Sequence, residues 1–173
     1  MYKFSKYLLV CIGILFAATN SSAQFKLPHF QLVGMGVYST PTGNAFKDGY
    51  KSGLGVEAGA GLGLGSTMLM GTLGYQAYGK NALNTYGDLK VTSFKAGIRQ
   101  YIFLGHLFIL GNLGTAIQSY STNSATGSNF IYEYGAGFRL FGLEVQATQT
   151  HWQQPLPITS NAFNVKLGFS FKL

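Results

Sequence analysis

The side chains on which chemistry could be built are few: three histidines, one cysteine, twelve Lys/Arg and five Asp/Glu in 173 residues. Nucleophilic catalysis needs a nucleophile with a base in hydrogen-bond reach. His151 is the candidate base, with Ser119, Ser121 and Ser160 as hydroxyls that could approach it in three dimensions. Its neighbours Trp152 and Gln153 supply no nucleophile, and an interfacial histidine beside Trp152 is the plainer reading. His106 falls at an expected tight turn. Two stretches imitate nucleotide loops. "GLGVEA", Gly53 to Ala58, has the letters of a dinucleotide fingerprint, and "GYQAYGKN", Gly74 to Asn81, is one residue from a P-loop. Both motifs work only as a turn feeding a helix N-terminus, and no helical pattern follows either. Nucleotide, cofactor and metal chemistry are therefore not expected.

The remaining charges ask for a different explanation. They make up only 10% of the chain, against roughly 25% in soluble domains. The first 23 residues, "MYKFSKYLLVCIGILFAATNSSA", read as a signal peptide: Lys3 and Lys6, an apolar run, then small residues before a cut after Ala23. That run is too short for a comfortable membrane helix, which needs about 20 apolar residues. Cys11 belongs to it, so residues 24–173 form one cysteine-free domain without disulfides or thiolate metal sites. Losing Lys3 and Lys6 lowers the net charge from +7 to +5. The basic charges are scattered, which argues against a nucleic-acid partner.

The elements that must position these residues announce themselves by a period of two, which a strand sustains and a helix does not. In "GLGVEAGAGLGLG", Leu54, Val56, Ala58, Ala60, Leu62 and Leu64 alternate with Gly53, Gly55, Glu57, Gly59, Gly61, Gly63 and Gly65. The same two-faced pattern recurs near 30–40, 66–79, 88–103, 106–121, 129–141, 143–152 and 162–173, which makes eight strands. Long polar connections, "PTGNAFKDGYKSG", "KNALNTYG", "STNSATGS" and "QQPLPITSN", alternate with tight turns near Gly65-Ser66, Leu104-Gly105 and Phe141-Gly142. Pro28, Pro41, Pro155 and Pro157 lie outside strand interiors, where a missing N–H costs no ladder bond. The expected fold is an all-β, eight-stranded, antiparallel up-and-down transmembrane barrel with its long loops at one end.

Alternation does not say which face points inward. The polar face is mostly Gly, Thr, Gln and Asn, a poor surface for a soluble barrel but suited to a lumen filled by side chains. Aromatics gather at strand ends of the apolar face: Tyr75, Phe130, Tyr132, Trp152 and Phe163 toward the long loops, Phe169 and Phe171 toward the C-terminus. Two aromatic girdles mark two membrane interfaces. The lumen then receives Glu57, Lys95, Arg99, Glu133, Arg139, Glu144 and Lys166, which must pair when buried. A two-residue turn at Phe141-Gly142 sets Arg139 opposite Glu144 and predicts a direct ion pair between them. The glycines are expected to make room for Met70, Arg99 and Tyr101. Lys47, Asp48, Lys51, Lys80 and Asp88 leave the loop end slightly basic.

Signal segment, strand count, loop alternation and the last strand, "AFNVKLGFSFKL", resemble the small eight-stranded bacterial outer-membrane barrels of the OmpA/OmpX/opacity-like superfamily. The last strand is similar to the signal read by the barrel insertion machinery, with Phe171 as the aromatic and Leu173 at the end where the aromatic usually stands. The resemblance implies a Gram-negative outer-membrane protein with periplasmic termini. It also implies contact with membrane lipids and lipopolysaccharide, and a structural or surface-interaction role without catalysis. Two other roles stay open. Some barrels of this size modify lipid A and carry a His-x-Ser pair, where this chain has His151-Trp152-Gln153. Others, the PorT-like group, are linked to secretion and imply an envelope partner.

Overall fold

A computed structural model describes residues 28–82, 87–102, 105–121, 127–153 and 159–173. The expected signal peptide, Cys11 and Leu104 lie outside the described residues. Eight strands are connected in simple succession: β1 (His29–Pro41), β2 (Tyr50–Leu64), β3 (Thr67–Lys80), β4 (Leu89–Ile102), β5 (Leu107–Tyr120), β6 (Gly127–Leu140), β7 (Leu143–Gln153) and β8 (Thr159–Lys172). Each pairs antiparallel with its neighbours, and β1 pairs with β8, so the sheet closes. Closure leaves no edge strand to template aggregation. The partner series that begins at Gln31 passes Gly61, Met70, Gly97, Asn112, Glu133, Thr150 and Ala162. It returns to β1 at Pro41, ten residues above Gln31. That stagger tilts the strands and sets a narrow bore that side chains can fill.

Parity decides what each residue meets. Leu54, Val56, Leu62 and Leu64 of β2 are exposed, and so are Leu69, Phe94, Ile98, Leu113, Val165 and Leu167 on other strands. Gln31, Lys95, Glu133, Glu144, Asn164 and Lys166 are buried. An apolar exterior around a polar interior inverts the soluble arrangement and is that of a membrane-spanning barrel. Tyr75, Phe130, Tyr132 and Phe163 stand exposed in the loop-end half, with Phe169 and Phe171 toward the turn end.

Trp152 departs from the expected girdle. It is 2% exposed and points into the lumen, because on β7 it shares the parity of Glu144, Gln146, Thr148 and Thr150. The loop between β1 and β2 also departs from a purely polar connection. It contains a short helix, α1 (Asn44–Gly49), whose Phe46 is buried.

Among the lumen glycines, Gly61 shows why the small residue is needed. A methyl group there would run into Met70 Sδ, and at Gly63 it would strike the His29 ring. Met70 therefore takes glycine-made room as expected. The side chains nearest the other β2 glycines are those of His29, Thr72, Gln76 and Tyr78, and Tyr101 packs on the cluster of Val33, Met35, Met68 and Met70.

Candidate functional site

The most highly charged site is the centre of the lumen. Glu57 of β2, Lys95 of β4, Glu133 of β6 and Lys166 of β8 come from alternate strands and meet on the barrel axis. Lys95 Nζ lies 2.6 Å from Glu57 Oε2 and 2.9 Å from Glu133 Oε2. Lys166 Nζ lies 3.0 Å from Glu57 Oε2 and 2.9 Å from Glu133 Oε1. Each ammonium thus touches both carboxylates, and the ring of alternating charge sums to zero. Asn112 Nδ2 and Thr150 Oγ1 donate to Glu133 at 2.9 and 3.0 Å, and Asn164 Nδ2 donates to Thr150 Oγ1 at 2.7 Å. Buried charge is tolerated when paired and hydrogen-bonded in this way.

Toward the turn end, Glu144 accepts from Arg99 at 2.9 Å and from Gln146 Nε2 at 2.7 Å. The Arg99 guanidinium also sits over the Phe108 ring, 4.3 Å from its centroid. Arg139 is directly opposite Glu144 in register, yet the two form no ion pair. Arg139 is half-buried and donates instead to Gln31 Oε1 at 3.4 Å. The expected Arg139–Glu144 bridge is therefore corrected to Arg99–Glu144. Arg99 enters from the opposite wall and satisfies a fully buried carboxylate, while Arg139 stays near the open rim. Sequence register alone cannot rank two cations competing for one acid across a bore.

The loop end is closed by side chains of the other kind. Phe46 packs against Tyr50, Tyr78 and Trp152 with ring centroids 5.3, 5.2 and 5.2 Å away. Leu89, Val91, Ala116, Ile131 and Ala162 complete this apolar layer. Tyr78 Oη is fixed by Ser39 Oγ and Gln76 Oε1, each at 2.7 Å. The sequence carried a signal for the layer that the loop reading missed: Phe46 is the single large apolar side chain between Pro41 and Tyr50.

His151 lies on the outer face of β7. Its ring stacks on Tyr132 at 4.7 Å and on Tyr134 at 5.7 Å, and Nδ1 meets Asn161 Oδ1 at 2.6 Å. No serine hydroxyl or carboxylate among the described residues is within hydrogen-bond distance of it. Ser160 is fully buried beside Trp152 on the inner face, and Ser121 Oγ accepts from the Asp88 N–H at 2.8 Å. Ser119 is exposed on β5 opposite Lys90. The described residues contain no group of three His, Cys, Asp or Glu able to hold a metal ion. His106 is exposed at its turn, with Nδ1 3.0 Å from the Arg139 carbonyl. Lys47, Asp48, Lys51, Lys80, Asp88 and Lys90 are exposed around the loop-end rim, four basic groups against two acidic.

No family model and no curated protein sequence matches the chain. Solved structures match its fold. Ail, the attachment invasion locus protein of Yersinia pestis, is similar in complex with the heparin analogue sucrose octasulfate. The identity is 16%, covering 84% of this chain and 100% of that one, with a TM-score of 0.59. Neisserial surface protein A is 10% identical over 83% of this chain and 96% of its own, at a TM-score of 0.52. The N-terminal β-barrel domain of Pseudomonas aeruginosa OprF is 14% identical over 86% and 100%, at 0.51. The architecture is thus that of the small eight-stranded outer-membrane barrels.

Proposed function

We propose that this chain is a non-enzymatic, integral outer-membrane barrel that acts at its loop end, with its lumen serving as a structural core. The observation that carries the reading is the quartet of Glu57, Lys95, Glu133 and Lys166, closed on itself at 2.6–3.0 Å and net neutral. A conducting path would have to part these pairs, and the Phe46 layer lies above them. His151 stacks on Tyr132 and Tyr134, and the lack of a serine hydroxyl or carboxylate within its reach among the described residues supports the non-catalytic reading.

The exposed lysines Lys47, Lys51, Lys80 and Lys90 give the rim a net positive field that suits phosphate or sulfate groups. Lipopolysaccharide phosphates are the anions nearest to such a rim. The similar Ail barrel in complex with sucrose octasulfate supports anion contact at a barrel of this shape. The test has two arms. Reconstituted in a planar bilayer, the protein should give no sustained channel current. Binding to lipopolysaccharide should fall with added salt, and should fall further when the four rim lysines are replaced by glutamine. Steady conductance, or binding indifferent to both changes, overturns the reading.

A further inference from the structure

The layer that closes the loop end differs from the rest of the lumen in what fills it. Below, every filling side chain comes from a strand. Here the central ring, Phe46, comes from α1, a helix of six residues whose N-cap, Gly43, offers no side-chain bond. A helix that short does not persist without tertiary support. Asn81 ties it to the neighbouring strand end: Nδ2 donates to the Lys47 and Asp48 carbonyls at 3.0 and 3.2 Å, and the backbone N–H to the Gly49 carbonyl at 3.0 Å. Phe46 therefore reaches the mouth from a short loop helix and not from the barrel wall.

The walls that Phe46 touches have their own unmet requirement. Trp152 is 2% exposed, and its indole N–H has no acceptor among the described residues. A buried donor left unpaired is costly and asks for a partner. Tyr78, its neighbour in the same layer, has its hydroxyl engaged twice. The phenylalanine now seated there can bury a ring but has no acceptor to offer Trp152. The lumen cations below, Lys95 and Lys166, are committed to Glu57 and Glu133 and offer no counter-ion to a guest in the aromatic layer, while the rim lysines stand exposed outside it.

We propose that the loop-end mouth is a small-molecule site held shut by Phe46. Its ligand is an uncharged molecule with one aromatic ring and a hydrogen-bond acceptor. The ring takes the place of the Phe46 ring, and the acceptor receives the Trp152 N–H. Binding displaces α1, so the protein's affinity is the intrinsic affinity reduced by the fraction of molecules whose mouth is open. Barrel mouths are among the places where such pockets occur. No bond is made or broken.

The chain's single tryptophan makes the site its own reporter. Benzamide, a ring with a carbonyl acceptor, is titrated into the protein folded in detergent while Trp152 emission is followed. A saturable shift is expected, together with faster tryptic cleavage after Lys47 as α1 is released. Phe46→Ala should bind benzamide about tenfold or more tightly, because no ring then has to leave. Toluene, the same ring without an acceptor, should bind more weakly. Should Phe46→Ala lose the heat-modifiable gel mobility of a folded barrel, Phe46→Leu replaces it, with a smaller gain in the same direction. A wild-type emission that ignores benzamide overturns the proposal. So do cleavage after Lys47 that is unchanged at saturation, or variants that bind no more tightly than wild type. Equal affinity for toluene overturns the assigned ligand class.

Discussion

Glu57 and Glu133, two buried carboxylates of like charge, are held together by the same two ammonium groups. Lys95 reaches them at 2.6 and 2.9 Å, and Lys166 at 3.0 and 2.9 Å. Each acid thus depends on both bases. Removing any one of the four leaves an unbalanced charge in a buried site.

Glu57→Gln leaves the two lysines facing one remaining carboxylate. Breaking a buried ion pair in this way costs about 3–5 kcal/mol. The urea midpoint of the barrel in lipid vesicles should fall accordingly. The double change Glu57→Gln with Lys95→Gln restores neutrality and should cost less than the sum of its singles. Additive losses would show that the quartet does not act as a unit.

Arg99→Met and Arg139→Met distinguish the cation that serves Glu144. Arg99 is 2.9 Å from Glu144 and covers the Phe108 ring, whereas Arg139 has one long bond to Gln31. Loss of Arg99 strands a fully buried acid and should cost roughly 3 kcal/mol. Loss of Arg139 should stay within about 1 kcal/mol, as for a partly exposed group. Equal effects in unfolding titrations would return Glu144 to the cross-strand pair.

Gly61→Ala and Gly71→Ala compare the two faces of the wall. A methyl group at Gly61 collides with Met70, while at Gly71 the nearest atom is 3.9 Å away. Overpacking should cost Gly61→Ala about 1–3 kcal/mol, and Gly71→Ala should leave the midpoint nearly unchanged. The reverse order would place the crowded face outside.

Phe141 has φ 51° at the β6–β7 turn, a left-handed conformation that bulky residues avoid. It is followed by Gly142 at φ 86°, as a two-residue hairpin requires. Phe141→Asn relieves a backbone strain of about 1 kcal/mol and should raise the midpoint in detergent. A fall instead would mean that the exposed ring contributes more at the membrane interface than its backbone costs.

Strand number, direction, inward face and the register of the β6–β7 hairpin were all legible in the chain. They depend on a period of two and on turn chemistry, which are properties of adjacent residues. Even the inward direction of Trp152 was written in the parity of β7, and the expectation of a girdle residue passed over it. Three features were decided by the tertiary structure. Arg99 rather than Arg139 serves Glu144, Lys95 and Lys166 each bridge both Glu57 and Glu133, and Phe46 folds back over the mouth. Each joins residues brought together only when β1 closes on β8. Alternation fixes which way a side chain points, but the stagger of the closed barrel fixes which others it meets across the bore.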